Sequence, residues 1–203
     1  MVIYGIYYSA GLLAGAGLLA YLTSWIYALP LLILAAFCLY FFRDPDREVP
    51  AGPVAVSPAD GKVVVVKAEG GGQRISIFLN VFDVHVNRTP IPGRISEVRY
   101  QEGQFLVASK EEASHSNEQN TITVEGNVAG KPTRIVFKQI AGLIARRIVC
   151  YKKPGDTVAA GERVGLIKFG SRVDVQLGPE WEVAVQVGQR VSAGSSVIAR
   201  LKT

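Results

Sequence analysis

The chain has 203 residues, of which 49% are hydrophobic, and a formal net charge of +5. This length suits one mid-sized domain together with an additional apolar segment. The sequence has no Gly-x-Gly-x-x-Gly pattern, no P-loop and no cluster of metal-ligand residues, so it gives no support to a nucleotide-dependent or metal-dependent enzyme.

The apolar segment lies at the N-terminus, because residues 1–42 contain no Asp, Glu, Lys, Arg or His. A bilayer core about 30 Å thick needs about 20 helical residues to cross it. We therefore predict a transmembrane helical hairpin, with helices at about 2–22 and 26–42 and a turn at Thr23-Ser24. The segment lacks the basic start and short apolar core of a cleaved secretory signal.

The first basic residues set the predicted orientation. Arg43 and Arg47 directly follow the second helix, so the positive-inside rule places residues 43–203 on the cytoplasmic side of the cell membrane. Cys38 lies in the apolar segment and Cys150 outside it, so we expect no disulfide. The charge of +5 lies entirely in residues 43–203, which favours attraction to anionic lipid, although a contribution to solubility alone remains open.

Residues 43–203 are predicted to be mainly β. Their apolar runs are short, rich in β-branched residues and separated by glycine or proline, as at 62–66, 75–79, 121–124 and 134–137. Only Gly103 to Glu112 is expected to form a helical turn or two.

A faint internal repeat relates residues 155–167 to residues 188–200. Both copies read glycine, two residues, valine, two residues, glycine, two residues, valine. This rhythm resembles the hammerhead turn of biotinyl and lipoyl domains, and residues 57–63 resemble the entry strand of the same sandwich. We therefore predict a duplicated barrel-sandwich-like domain. No lysine has the exposed hairpin position of a carrier domain, and Lys62 is expected to be a solvated strand residue.

Several polar groups are candidates for chemistry. Asp60 lies in Ser-Pro-Ala-Asp-Gly, although Asp-Gly is also a common turn pair. Alternation in the run 78–90 predicts Asp83, His85 and Asn87 on one face of a strand, with Val84 and Val86 on the other. A neutral imidazole at His85 could act as a base near neutral pH, or it could be a buried structural histidine.

Two further segments complete the candidates. Residues 117–120 form a polar cluster that is equally compatible with a plain loop. Gly170-Ser171 lies in a strand-like run near the C-terminus. A serine hydroxyl directly after a glycine carbonyl can attack that carbonyl, which makes this step a candidate for self-cleavage, although Gly-Ser is also an ordinary turn pair.

Taken together in their order, these segments resemble the short, membrane-anchored class of phosphatidylserine decarboxylases, which are self-cleaving pyruvoyl enzymes. Besides the apolar N-terminal hairpin, the matching segments are Phe41–Pro45, Ser57–Gly61, Phe78–Pro90, Asn117–Asn120 and Phe169–Ser171.

The resemblance implies that the chain is a proenzyme cut between Gly170 and Ser171. Ser171 would attack the Gly170 carbonyl, with His85 as the base and Asp60 as the group that orients it. The products would be a β chain of residues 1–170 and a 33-residue α chain of residues 171–203, with Ser171 converted to a covalent pyruvoyl cofactor.

The resemblance further implies decarboxylation of phosphatidylserine to phosphatidylethanolamine, with the pyruvoyl group as electron sink and no external cofactor or metal. The implied partners are a phospholipid substrate and the membrane, with no nucleic acid; the mature enzyme would be a heterodimer of β and α chains, and higher oligomers stay open. Arg88, Asn117 and Asn120 are candidate substrate contacts.

One position departs from the implied pattern. Long members of the family carry a second histidine three residues after the first, and this chain has Arg88 there. Either His85 serves both self-cleavage and decarboxylation, or another group such as His115 substitutes. The alternative hypotheses for the function are an archaetidylserine decarboxylase, a decarboxylase-like protein that no longer cleaves, and a non-enzymatic membrane-anchored biotinyl-like scaffold.

Overall fold

A computed structural model describes residues 1–143, 147–168 and 170–202. The chain divides into two compact units, Met1–Asp46 and Arg47–Thr203. The first contains a pair of apolar helices and the second is built almost entirely of strands, so the prediction of a mainly β protein with an N-terminal helix pair is confirmed. Phe169, part of one of the matching segments, lies outside the described residues.

The helices of the first unit are α1, Ile3–Leu22, and α2, Trp25–Phe41, each within one residue of its predicted start and end. They pack against each other, and the Ser9 hydroxyl of α1 donates a hydrogen bond of 3.0 Å to the carbonyl of Ala35 in α2. Within the described part of the chain, only α1 is both long and apolar enough to cross a membrane, because α2 has 17 residues.

The second unit contains fourteen described strands and one short helix, α3, at Ala113–Ser116. In chain order the strands are β1 Val54–Val56, β2 Gly61–Glu69, β3 Gly72–Leu79, β4 Val86–Arg88, β5 Gly93–Gln101, β6 Gln119–Val128, β7 Lys131–Ile140, β8 Arg147–Cys150, β9 Thr157–Val158, β10 Arg163–Lys168, β11 Ser171–Leu177, β12 Trp181–Val183, β13 Arg190–Val191 and β14 Val197–Leu201.

The strands form one large and two small antiparallel sheets. The large sheet has the order β13-β2-β3-β11-β7-β6-β5-β9, and the small ones are β1-β14-β12 and β4-β10-β8. Strand β11 lies in the interior of the large sheet, where Ser171 pairs with Leu79 of β3 and Arg172 pairs with Ile140 of β7. One face of β11 enters the apolar core through Val173, which has no exposed surface.

The internal repeat corresponds to two similar turns. In each copy a short strand, β9 or β13, is followed by a tight turn and a longer strand, β10 or β14. The glycines at the repeated positions all have positive φ angles, +98° and +71° at Gly155 and Gly161, and +95° and +76° at Gly188 and Gly194. Residues with a Cβ rarely adopt these angles, so the glycine spacing reflects a backbone requirement.

One local expectation was wrong. Residues 78–90 do not form one strand, because β3 ends at Leu79 and β4 begins only at Val86. The Asn80 side chain accepts a hydrogen bond of 2.8 Å from the Phe82 N–H, which favours a turn over a continued strand. Asp83 and His85 therefore lie before β4, and Val84 is buried as well.

In the segment 103–112 only the last residues form turns: the Lys110 N–H donates to the Val107 carbonyl at 3.0 Å, and these turns lead into the helix at Ala113–Ser116. Residues 103–107 form no helix. The reason is a competing set of hydrogen bonds. The Gln104 N–H donates to the Ser116 carbonyl at 2.7 Å, and the Asn117 side chain accepts from the Leu106 N–H at 2.9 Å.

Candidate active site

The Gly170-Ser171 step lies at the start of β11 and is closed to solvent on the serine side. Ser171 has no exposed surface, and Gly170 has a φ of +72°, which favours glycine. The Ser171 hydroxyl has no hydrogen-bond partner among the residues that the structure describes. Leaving such a group buried and unpaired costs about 1–3 kcal/mol of folding free energy. This cost indicates a role for the hydroxyl other than structural hydrogen bonding.

His85 lies directly against this step. Its Nε2 accepts a hydrogen bond of 3.1 Å from the Gly170 N–H, and its Nδ1 is 2.9 Å from the carbonyl oxygen of Asp83. The two contacts fit a neutral imidazole that carries its proton on Nδ1 and accepts the Gly170 N–H at Nε2, one peptide unit before the Gly170-Ser171 bond. His85 is 2% exposed, so the ring is held within the protein.

The turn that carries His85 is fixed by the Asp83 side chain. This carboxylate accepts a hydrogen bond of 2.9 Å from the Asn80 N–H and also contacts the Arg190 guanidinium. Because the Asp83 carbonyl is the partner of the imidazole Nδ1, bracing this turn also sets the direction of the ring.

The carbonyl of Gly170 faces a second glycine, which sequence reasoning missed. A Cβ placed on Gly142 would come well inside 3.0 Å of the Gly170 oxygen and within 3.2 Å of the Ala108 Cβ. Gly142 lies two residues after the end of β7, near the Arg172–Ile140 pair. No local pattern distinguishes this glycine from one in an ordinary loop, since its constraint comes from a carbonyl in another segment.

Asp60 is held by two donors. Its carboxylate forms an ion pair of 2.9 Å with the Arg47 guanidinium, and its Oδ1 accepts a hydrogen bond of 2.7 Å from the Ala193 N–H. Burial raises the pKa of Asp60, and the hydrogen bonds from Ala193 and Arg47 only partly oppose that effect. The negative charge of Asp83 raises this pKa further.

The amide candidates are built into the framework around the step. Asn117 donates hydrogen bonds to the carbonyls of Leu106 at 2.9 Å and Ala141 at 2.8 Å, so it ties the segment before α3 to the end of β7. Asn120 donates to Gln139 at 3.0 Å, and Gln139 in turn donates to Asn87 at 2.9 Å.

Arg88 and His115 lie in different surroundings. Arg88 is 6% exposed, donates a hydrogen bond of 3.0 Å to the Gly161 carbonyl and lies beside Gly194, so it contacts both repeated turns. His115 lines a cavity of about 160 Å³ together with Arg74 and Asp174. Side chains alternate along a strand, so Asp174 and this cavity lie on the face of β11 opposite to Ser171.

Comparison with known proteins decides the family. The family model described as phosphatidylserine decarboxylase matches residues 34–199. The chain belongs to the phosphatidylserine decarboxylase family. This result confirms the resemblance inferred from the sequence motifs. The chain is therefore an enzyme, and the hypothesis of a non-enzymatic scaffold is excluded.

Individual relatives cover nearly the whole chain. The chain is 70% identical over 196 residues to the phosphatidylserine decarboxylase proenzyme of Solibacter usitatus. The aligned region covers 97% of this chain and 94% of the relative. It is 47% identical over 178 residues to the proenzyme of the same name from Desulfotalea psychrophila, covering 84% of this chain and 82% of the relative. A third relative, from Cupriavidus pinatubonensis, is 44% identical over 201 residues, covering 93% of this chain and 91% of the relative.

Proposed function

We propose that the chain cleaves itself between Gly170 and Ser171 and that the cleaved enzyme decarboxylates phosphatidylserine to phosphatidylethanolamine. One observation carries the first part of this proposal. The buried Ser171 hydroxyl has no partner in the described part of the chain, and the adjacent Gly170 N–H donates to the Nε2 of His85. The names of the relatives, which call them proenzymes, support processing of the chain, and they supply the substrate.

Self-cleavage begins when Nε2 of His85 gives up the hydrogen bond from the Gly170 N–H, accepts one from the Ser171 hydroxyl and takes its proton. The Ser171 oxygen attacks the Gly170 carbonyl carbon, the peptide C–N bond breaks, and the released amine takes the proton, which leaves an ester. Removal of the Cα proton of residue 171 then expels the Gly170 carboxylate as the new end of the β chain. Water converts the remaining dehydroalanine to a pyruvoyl group and releases ammonia.

His85 suits the role of base because its Nε2 already lies at the step and its Nδ1 is fixed by the Asp83 carbonyl. His115 lines the cavity shared with Arg74 and Asp174, on the other face of the sheet from Ser171, so we assign the base to His85. We assign to Asp60 the stabilisation of the positive charge that His85 acquires, as in other hydroxyl–imidazole–carboxylate sets.

We assign the pyruvoyl group to residue 171, because its buried side-chain oxygen forms no hydrogen bond among the described residues that conversion to a ketone would break. When formed, this group supplies the electron sink that decarboxylation of an amino acid head group requires. His85 remains beside it as a group that can hold or deliver a proton. We keep Arg88, Asn117 and Asn120 as candidate contacts for the phosphate and serine carboxylate, of which Asn117 is tied to the Ala141 carbonyl next to Gly142.

We place the enzyme at the cell membrane, with residues 1–42 as a two-helix anchor and residues 43–203 as the decarboxylase domain. The apolar 20-residue α1 supports this placement, and Arg43 and Arg47 favour the cytoplasmic side. An anchored enzyme would meet a substrate that stays in the bilayer, and the charge of +5 in residues 43–203 would favour an anionic membrane surface.

Denaturing mass spectrometry and a lipid assay test the proposal. The natural chain should yield the 33-residue fragment 171–203 with a ketone at its N-terminus, whereas Ser171→Ala should remain an intact 21.9 kDa chain and form no phosphatidylethanolamine. Ser96→Ala, at an exposed serine of β5, is the matched control and should retain both activities. Decarboxylation by the Ser171→Ala enzyme would refute the assignment.

A further inference from the structure

Arg172, the residue after the proposed cleavage site, has no exposed surface and is held by four acceptors. Its Nε donates to Asp174 at 2.6 Å, and one terminal nitrogen donates to the Ser76 hydroxyl at 2.7 Å and to Glu111 at 3.2 Å. The other terminal nitrogen donates to the Lys110 carbonyl at 3.2 Å. A buried guanidinium with this many partners fixes its own backbone position closely.

Glu111 is the meeting point of three cations from three different strands. Its carboxylate pairs with Lys67 of β2 at 2.7 Å, with Arg172 of β11 at 3.2 Å and with Arg74 of β3. Burial by itself would raise the pKa of Glu111, but the hydrogen bonds from the three cations outweigh it and lower the pKa to about 2. The carboxylate is therefore ionised throughout the neutral range.

Glu111 belongs to the connection between β5 and β6, residues 102–118, which we call the covering loop. Ala108 of this loop lies by Gly142, whose backbone adjoins the Gly170 carbonyl oxygen. The same loop therefore lies beside Gly142 through Ala108 and binds the residue after Ser171 through Glu111 and the Lys110 carbonyl.

We propose that Arg172 is a positioning residue for decarboxylation and that Glu111 is its anchor on the covering loop. The role rests on the proposed cleavage. In the intact chain, residue 171 is held through covalent bonds on both sides, but after cleavage its only covalent tether is Arg172. Three of the four partners of Arg172, namely Ser76, Lys110 and Glu111, belong to the β chain and would then hold the α chain across the cut.

This arrangement separates the two reactions. Self-cleavage needs Ser171, Gly170 and His85, none of which contacts Glu111 in the described structure, so loss of the Glu111 charge should spare it. Decarboxylation needs the group at residue 171 to keep its place without the peptide bond, so the same loss should lower kcat. Because the candidate substrate contacts Arg88, Asn117 and Asn120 are unchanged, KM should change little.

Glu111→Gln tests the role, with Glu112→Gln as the matched control. The two glutamates are neighbours in the covering loop and both are exposed. Of these two, only Glu111 forms an ion pair with Arg172 in the part of the chain that the structure describes. We expect both variants to be fully cleaved by mass spectrometry. With phosphatidylserine in mixed micelles, Glu111→Gln should lose about tenfold in kcat with KM within about twofold, whereas Glu112→Gln should match the natural enzyme.

Two more variants complete the test. Glu111→Asp keeps the charge on a shorter side chain and should recover part of the lost kcat. Arg172→Lys keeps the charge but not the planar set of donors, so it should cleave and lose at least as much kcat as Glu111→Gln. If Arg172→Lys does not fold, Glu111→Gln still decides, because Glu111 has a side chain that is 45% exposed.

The outcomes distinguish the two proposals. Equal kcat values for Glu111→Gln and Glu112→Gln, in chains that are cleaved, would overturn only the positioning role. Failure of Glu111→Gln to cleave would also overturn it, since the cluster would then act before the cut. A natural chain that is never cleaved would refute the self-cleavage proposal itself, and the role of Arg172 with it.

Discussion

A buried hydroxyl without a hydrogen-bond partner costs a folded protein about 1–3 kcal/mol, and Ser171 is such a group within the described residues. Its neighbours explain the arrangement. The imidazole of His85 accepts a hydrogen bond from the Gly170 N–H, so the proposed base lies one peptide unit before the proposed cleavage point. In the proposed reaction the partner of this hydroxyl is the carbonyl of the residue before it, which would explain why it forms no structural hydrogen bond.

Glu111 gives a prediction about pH at the same scale. Its pKa falls from 4.5 to about 2 on folding, so its ionised form stabilises the fold fully above pH 4.5. That contribution is lost as the pH falls from 4.5 towards about 2. In denaturant unfolding, the natural protein should have a higher midpoint denaturant concentration than Glu111→Gln. The difference between the two midpoints should be constant between about pH 5 and 7 and should narrow towards about pH 3.

The Glu112→Gln midpoint should track that of the natural protein over this range, because Glu112 has no ion pair among the described residues to lose. Because the Glu111 side chain is 45% exposed, solvent screening keeps the gap small, and added salt should reduce it. A gap that grows on acidification would contradict the assigned ion pairs.

At the scale of elements, three connections between strands carry the residues that surround the Gly170-Ser171 step. The turn between β3 and β4 carries His85, the residues after β7 bring Gly142 to the Gly170 carbonyl, and the covering loop brings Ala108 and Glu111. Strand β11 supplies the serine itself and holds it between β3 and β7. The sheet thus fixes the position of Ser171, while the connections fix the groups around it.

Gly142→Ala is predicted to slow self-cleavage. A Cβ at this position would overlap the Gly170 carbonyl oxygen and push the scissile carbonyl away from Ser171. A displacement of about 1 Å can cost on the order of 100-fold in rate, and the rate of fragment appearance after synthesis measures this effect.

Gly93→Ala is the matched control, because its Cβ would overlap the Glu125 carbonyl oxygen between β5 and β6 in the same way. Both variants should lose stability, but only Gly142→Ala should lose cleavage rate. Equal cleavage rates for the two variants would show that the approach of Gly142 to Gly170 has no part in the reaction.

At the scale of the whole molecule, the division into two units predicts that cleavage does not need the helices. Asp60, His85 and Ser171 all belong to Arg47–Thr203, as does the apolar core around β11. A chain of residues 43–203 should therefore fold and yield the same 33-residue fragment in mass spectrometry. It keeps Arg47, the partner of Asp60.

The same truncated enzyme should act on phosphatidylserine dispersed in detergent but should lose more activity on vesicles, because it lacks the apolar anchor. Ser171→Ala in the truncated chain controls for cleavage by contaminating proteases. Absence of cleavage in the truncated chain, with normal cleavage of the full chain, would show that the helices contribute to the site.

The sequence alone determined the features that depend on near neighbours. The charge-free stretch predicted the apolar helices, and the short β-branched runs predicted a mainly β unit. The repeated glycine spacing predicted the two turns, in which Gly161 and Gly194 have positive φ angles. The ordered motifs also gave the family. Alternation failed at 78–90 because the Asn80 side chain bonds within its own turn, a local competitor that the hydrophobic pattern does not reveal.

Only the tertiary structure decided which groups meet. His85 and Gly170 are 85 residues apart, Arg172 and Glu111 are 61 apart, and Arg47, which the sequence marked only as a determinant of membrane orientation, pairs with Asp60 across 13 residues. Such contacts depend on the register of β3, β11 and β7 and on where their connections return. Residue type and spacing set a backbone's local preferences, but strand pairing sets the distances between remote side chains, and the chemistry depends on those distances.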